Sequence, residues 1–456
     1  MKVIKIGGGC LKGESVVSSI VELVAARGKG HIFVLSAFSG ITDKLVSGIE
    51  MALHDEEHIP SIINEIRQEH LFMARVLIKS EIAFKSLKQE LDNHFLKLER
   101  YYYGINFTRE ATPRMQDIIM SYGERLSVIL MARVMESRGE NAGFIMPQDA
   151  GVITDGRFAD ATANMPLTTS NLENKIRPLM TSKPGFMLFF PGFFGVSESG
   201  EITTFGRGGS DYSAAVVAAA LKAEILEIWK DTEGFMTADP SVVPDARLIS
   251  LLSYEEASEL AYSGASILHP RTVEPVRKSD INIAIKNTLN PDGDGSLITE
   301  KSVTAKNIIK SISHTKDIGI LKVYASGVGL RQGILAKIAG SLSDAGINIK
   351  SVVTSQTCIS LLFSKMDVEN AHNVIESITP RLYRESETVT NCALISVVGD
   401  GLHKHRGIAA RCFTAVSDAN VNIEMISFGP SKAALYFLVN QGDLEKTLNA
   451  LHGYFV

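Results

Sequence analysis

One stretch of this chain occurs twice. Gly333 to Ile349 (GILAKIAGSLSDAGINI) aligns without a gap to Gly407 to Ile423 (GIAARCFTAVSDANVNI). In the first copy Ile334, Ile338 and Leu342 fall on one helical face. Gly346 and Asn420 stand where a left-handed residue ends a helix, and a strand-like run follows each. Two copies fit a pair of small βαβ-type modules and not a solenoid, which needs at least three. Upstream, Asn287 to Gly295 (NTLNPDGDG) is turn chemistry and sets a boundary near residue 300. Before it, short β-rich runs alternate with helical patterns, as in a mostly parallel sheet covered by helices. Val3–Ile6, Ile32–Leu35 and Glu224–Trp229 read as strands, and 120–137 and 213–221 as helices. Residues 51–115 are glycine-poor and rich in Glu, Lys, His and Leu, which predicts a helical excursion from the sheet.

Bulk properties narrow the class. A length of 456 residues predicts about three domains. A net charge of -5 and a pI near 6.2 argue against a nucleic-acid-binding surface. Cys10, Cys358, Cys392 and Cys412 show no CxxC spacing, so neither a disulfide scaffold nor a zinc site is expected. The N-terminus lacks a signal-peptide core, and the most apolar stretch, 186–196, is interrupted by Pro191, Gly192 and Gly195. The expectation is a soluble cytoplasmic protein with no membrane partner.

Four segments carry chemistry. Phe205 to Ala214 (FGRGGSDYSA) sets glycines, a guanidinium, a hydroxyl and a carboxylate ahead of an apolar helix. Its glycines permit close backbone approach, its helix start attracts anions, and Arg207 can grip a carboxylate through two bonds. Lys5-Ile6-Gly7-Gly8-Gly9 puts an ammonium at a strand end beside a turn whose amides suit phosphate. Ser36 to Thr42 (SAFSGIT) supplies hydroxyls at the next such turn, and Glu124 in Gly123 to Ser127 (GERLS) offers a carboxylate to an amine. Neither GxxxxGK[ST] nor GxGxxG occurs. Each segment alone also has a plain structural reading: a turn after a strand, or a dipole-compensating Glu.

Together, and with Asp239-Pro240 and Leu268 to Thr272 (LHPRT), these segments resemble aspartate kinase in the family's order, over nearly the whole chain. Gly151 to Asp155 and Val243 to Arg247 add to the likeness. The resemblance implies an amino-acid kinase fold, with a mostly parallel sheet sandwiched by helices, over residues 1–300. It implies two ferredoxin-like (βαββαβ) ACT domains at 308–385 and 386–456, the last strand completing the first. It also implies ATP- and Mg²⁺-dependent phosphorylation of the L-aspartate β-carboxylate, the first step of the aspartate-family amino-acid pathway that leads to lysine and threonine. By resemblance, Lys5 stabilises the transferring phosphoryl group and Asp211 orients Lys5 or the metal-bound phosphates. Arg207 holds the substrate α-carboxylate and Glu124 its ammonium, with Ser36, Thr42, Phe193 and Ser210 shaping the pocket. Gly7, Gly8, Lys230, Asp231, Met236, Ser241 and Ser266 border the nucleotide. Asn348, Ser355 and Gln356 bind an amino-acid effector at the interface of a homodimer or dimer of dimers.

The chain departs from that family where Gly9-Cys10 replaces Thr-Ser, Lys230 replaces Thr, Met236 replaces Tyr, Ser241 replaces Arg and Ser266 replaces Lys. All but the first lie on the nucleotide side. The expectation is that Lys230 supplies part of the positive charge missing at Ser241 and Ser266; a solvated lysine at a strand end is the plainer alternative. Lys350 and Gln356 stand where lysine-sensitive members carry acids, which argues against lysine as a simple effector. A competing function is a catalytically weakened paralogue serving as an amino-acid-binding regulatory subunit. His403 to Arg406 reads as a solvated loop, and His54 to His58 as a surface helix because Asp55 replaces the Glu of a zinc-protease motif. Trp229 reads as core.

Overall fold

The computed structural model describes residues 1–264, 267–300, 308–325, 328, 332–380 and 383–455. They form two units: 1–235 with 248–258 and 266–302, and 236–247 with 259–265 and 303–456. Among the described residues no helix is long and apolar enough to cross a membrane.

The first unit is built on ten strands: β1 (Val3–Ile6), β2 (Ile32–Leu35), β3 (Ala142–Phe144), β4 (Met187–Pro191), β5 (Phe194–Val196), β6 (Ile202–Thr204), β7 (Leu226–Lys230), β8 (Leu251–Ser253), β9 (Ile283–Asn287) and β10 (Ser296–Thr299). Eight of them make one sheet in the order β3-β4-β2-β1-β7-β9-β10-β8, while β5 and β6 pair as a hairpin. Every pair in the large sheet is parallel except β9 with β10. All four residues of β1 and of β2 are buried, the continuous apolar pattern of a strand covered on both faces. Chain order reverses across β1: β2 and β4 lie on one side and β7 on the other. The carboxyl ends of strands at such a switch point are where open α/β sheets hold ligands.

The helices of this unit are α1 (Glu14–Arg27), α2 (Ile41–His54), α3 (Ile59–Leu77), α4 (Glu81–Thr108), α5 (Pro113–Met120), α6 (Tyr122–Ser137), α7 (Pro147–Ala150), α8 (Met165–Ser182) and α9 (Gly209–Ala220). α10 (Tyr254–Tyr262) and α11 (Val273–Lys278) follow, the last residues of α10 belonging to the second unit. The excursion at 51–115 is helical as read. Leu87, Leu91, Phe95, Leu98, Tyr102 and Ile105 of α4 line one stripe and share a core with β1, β2 and α6. Two helix starts differ from the sequence reading. The helix expected over 120–137 is broken at Ser121 into α5 and α6, and that expected from Ser213 begins at Gly209. Gly208, with φ of 72°, turns the chain sharply enough to put Ser210 and Asp211 in the first turn of α9.

The second unit holds β11 (Ser311–Thr315), β12 (Gly319–Tyr324), α12 (Ile334–Asp344), β13 (Ser351–Thr354), β14 (Cys358–Phe363), α13 (Val368–Glu376), β15 (Glu385–Val389), β16 (Cys392–Val398), α14 (Ile408–Asp418), β17 (Met425–Phe428), β18 (Ala434–Asn440) and α15 (Leu444–Phe455). Gly346 (φ 70°) and Asn420 (φ 52°) follow the repeat helices in the left-handed conformation, as read. The sheets are not laid out along the boundaries expected from sequence. β12 to β15 form a βαββαβ module in the order β13-β14-β12-β15, so the fourth strand is β15 and not a strand from the chain's end. The second sheet, β11-β16-β18-β17, takes as its fourth strand β11, which precedes the first module. Residues 236–247 also join this unit: Ser311 Oγ donates to Met236 O at 2.8 Å and Ile312 N to Thr237 O at 2.9 Å.

Candidate active site

The strand register brings Lys5 of β1 beside Val34 of β2 and Ile228 of β7. One residue beyond the end of β2 stands Ser36, and Lys230 closes β7. These carboxyl ends meet the first turn of α9. Lys5 Nζ lies 2.5 Å from Asp211 Oδ1, and Lys230 Nζ lies 3.6 Å from Asp211 Oδ2. Burial works against the Asp211 charge, but the two ammonium groups outweigh it and hold the carboxyl below its ordinary value. Burial likewise pushes the Lys230 ammonium down, and Asp211 opposes that shift. Lys230 is thus a half-buried member of a charge array.

A cavity of about 400 Å³ opens over this array, lined by Lys5, Ser36, Phe193, Arg207, Ser210 and Asp211 among the anticipated residues. Arg207 is exposed at its rim. Glu124, buried in the first turn of α6, accepts the Ser210 hydroxyl at 3.2 Å through Oε1, while its Oε2 is buried without a hydrogen-bond partner. Burial pushes its carboxyl up to about 7, against the lowering effects of the Ala37 backbone, Ser210 and Lys5. Gly192 and Gly208 admit the close approaches that shape the pocket. A Cβ on Gly192 would sit 2.8 Å from Ser210 Cβ, and one on Gly208 only 2.3 Å from His269 Cγ.

Not every anticipated residue converges here. Thr42, in the first turn of α2, is not among the residues lining the cavity. Gly7 and Gly8 open the turn after β1, where Gly7 N donates to Trp229 O at 3.1 Å and a Cβ on Gly8 would press on Ala37 O at 3.1 Å. Asp231 stands against the same turn, 3.3 Å from a Cβ built on Gly9. Cys10 is buried, receives the Thr288 hydroxyl at 3.5 Å, and has its thiol pushed up by burial. Met236 and Ser241 belong to the second unit, where Ser241 Oγ donates to Asp239 Oδ1 at 2.6 Å. Ser266 lies outside the described residues. In the second unit Asn348 is exposed ahead of β13, and Ser355 and Gln356 are exposed in the β13–β14 turn. There Ser355 Oγ accepts Cys358 N at 3.0 Å.

Two positioning residues escaped the sequence reading. Asp117 of α5 is wholly buried and accepts Ala159 N at 2.9 Å, Thr204 N at 2.9 Å and Thr204 Oγ1 at 2.7 Å. It thereby fixes two residues of the pocket wall. Arg271 donates to Asp160 Oδ1 at 2.6 Å, Phe205 O at 2.9 Å and Ala161 O at 2.6 Å, and stacks on Tyr212. The LHPRT motif flagged Arg271 without a role; a lone Asp in α5 gave no signal at all.

The model of the amino acid kinase family matches residues 1–287, well over half of the chain. The chain belongs to the amino acid kinase family. An ACT-domain model matches residues 395–455, and β12 to β15 repeat that topology. This kinase-family chain is 30% identical to a bifunctional aspartokinase/homoserine dehydrogenase of Haemophilus influenzae, across 99% of its own length and 56% of that protein's. It is 28% identical to an aspartokinase of Saccharomyces cerevisiae, covering 91% of this chain and 82% of the yeast protein. The chain therefore spans little more than half the length of some of the relatives it matches. Among solved structures it resembles Escherichia coli aspartokinase III in complex with aspartate and ADP. That likeness has a TM-score of 0.85 and 25% identity, over 100% of this chain and 99% of the other. The lysine- and aspartate-bound form of the same protein gives a TM-score of 0.82.

Proposed function

We propose that the chain transfers the γ-phosphoryl group of ATP to the β-carboxylate of L-aspartate, giving 4-phospho-L-aspartate. The observation that carries this reading is the Lys5–Asp211–Lys230 array, whose Lys5 and Asp211 line a cavity that also presents Arg207 and Ser210, with Glu124 buried directly behind Ser210 and its Oε2 unpartnered. An α-amino dicarboxylate matches that set: ammonium on Glu124, α-carboxylate on Arg207, and the second carboxylate directed toward Lys5. The nucleophile is already ionised at neutral pH, so the site needs no general base. Its task is to bring two anions together. Lys5 does so by neutralising charge on the transferring group, and Asp211 keeps the Lys5 ammonium in place. Lys230 adds a second cation on the nucleotide side, next to the Gly7-Gly8 turn.

Among the described residues no three metal-binding side chains gather into a cage. The donor set suits magnesium held chiefly by nucleotide phosphates, with Asp211 or Asp231 as the available carboxylates. When bound, the ion offsets phosphate charge. The names of the relatives and the aspartate and ADP of the E. coli structure support the reading. In the second unit, the paired modules fit amino-acid regulation across a dimer, with Asn348, Ser355 and Gln356 as the effector positions. Lys350 Nζ is engaged by Asp317 at 3.2 Å, and no acidic side chain stands among those three positions, which favours an effector other than lysine alone.

The test is a hydroxamate assay on the pure protein with ATP, Mg²⁺ and aspartate. The expected result is aspartyl phosphate, lost by at least about a hundredfold in Lys5→Ala. No product from the folded wild-type chain would instead favour the weakened, regulatory paralogue.

A further inference from the structure

The second unit contains a cavity of about 440 Å³ that none of the roles above uses. Ile318, Leu362 and Leu394, from the apolar seam between the two sheets, form its floor, with Met425 packed against them. Its polar wall is Glu259 and Tyr262 of α10, with Ser431 and Tyr436. Glu259 accepts the Ser431 hydroxyl at 2.5 Å through Oε1 and the Tyr436 hydroxyl through Oε2. Each carboxylate oxygen has two acceptor directions, so both bonds leave room for another donor. The rings of Tyr262 and Tyr436 stand 6.3 Å apart at 75°. The two rings therefore pack edge to face, with the Tyr262 hydroxyl held by Lys350 O at 2.6 Å, and an aromatic surface beside a carboxylate suits an organic ammonium. On another wall Lys350 Nζ donates to the carbonyl and carboxylate of Asp317 at 2.8 and 3.2 Å. Asp317 thus balances that charge, leaving Glu259 to set the sign of the cavity, and one Lys350 N–H remains for a guest.

We propose that this cavity binds a small primary amine on an apolar stem. The ammonium sits on Glu259 beside the tyrosine pair, and the stem lies against Ile318, Leu394 and Met425. Two sources share that chemistry, a simple amine and an α-amino acid, and the remaining N–H of Lys350 discriminates between them. The site is separate from the Asn348, Ser355 and Gln356 positions, none of which lines it.

The full chain, labelled with [methyl-¹³C]methionine, is titrated with 3-methylbutylamine, L-leucine and 4-methylpentanoic acid. The Met425 methyl signal is assigned from Met425→Leu. At least one ammonium compound shifts that signal and the acid does not. Glu259→Gln weakens the binding by about tenfold or more, the scale of a hydrogen bond to a charged group. Gln356→Ala leaves it unchanged. If Lys350→Met weakens only L-leucine, the guest is an amino acid; if amine and amino acid bind alike in wild type and variant, it is a simple amine. Tyr262→Ala, at a partly exposed position, loses about threefold and serves where Glu259→Gln fails to fold. The proposal is overturned if neither ammonium compound moves Met425, if the acid binds equally well, or if folded Glu259→Gln or Tyr262→Ala retains wild-type affinity.

Discussion

Consider Glu124 on losing a proton. Its carboxyl is pushed up to about 7 from an ordinary 4.5, because it is buried and Oε2 has no partner. A shift of that size corresponds to about 3 kcal/mol between the two protonation states. The folded value is the raised one, so the associated stability is full below pH 4.5 and lost as pH climbs through 7. A substrate ammonium reverses the preference, since it pairs only with the ionised form. Aspartate binding therefore expels a proton from any chain still protonated at Glu124. Affinity should be nearly flat above about pH 8 and roughly tenfold weaker at pH 6. The assay is calorimetric titration of aspartate across that range in buffers of different ionisation enthalpy, which counts the proton directly. In Glu124→Gln the slope should vanish and the affinity should fall throughout. A wild-type affinity that is flat between those pH values, or a slope that survives in Glu124→Gln, refutes the assignment of the ammonium to this carboxylate.

Lys230→Ala should raise the KM for ATP about tenfold and that for aspartate much less, since the lost cation stands on the nucleotide side of Asp211; steady-state kinetics decides, and equal or negligible changes count against it. Asp117→Ala strands two buried donors of Thr204 and frees Ala159 N, and should cost about 2 kcal/mol or more in urea unfolding, whereas a loss under about 1 kcal/mol would deny it a positioning role. Gly208→Ala places a Cβ 2.3 Å from His269 at a φ of 72°, so kcat/KM should collapse while far-UV dichroism stays that of the wild type. Calorimetry with lysine, threonine and methionine should give no tight binding of lysine alone at the 348–356 positions; tight lysine binding that persists in Glu259→Gln would overturn the reading of Lys350 and Gln356.

Local chemistry made much of this legible in advance. Val3–Ile6 and Ile32–Leu35 announce themselves as fully apolar runs, and the repeat helices as stripes ending in Gly346 and Asn420. Much of the cavity lining was readable because Lys5, Ser36, Arg207, Ser210 and Asp211 sit in or beside glycine-marked turns. What stayed hidden depends on distant partners. For Lys230 the expected extra charge was legible, but its pairing with Asp211, nineteen residues back, was not. Asp117 is one acid in an unremarkable helix, and its three donors come from a loop and a strand about forty and ninety residues further on. The start of α9 was missed because glycine propensity counts against a helix, while the left-handed Gly208 is what initiates it.

The position of β11 governs how this chain can be cut and how it must assemble. The first βαββαβ module is nested inside the second, so residues 319–389 carry a whole sheet, whereas 386–456 carry a three-stranded sheet with a raw edge along β16. A fragment beginning at residue 386 should expose that edge and self-associate. During synthesis β11 emerges early and has no sheet to enter until β16 follows, with the nested module already made. Closing that long loop makes the second sheet the slow step of the pair, and leaves the nested module free to form first.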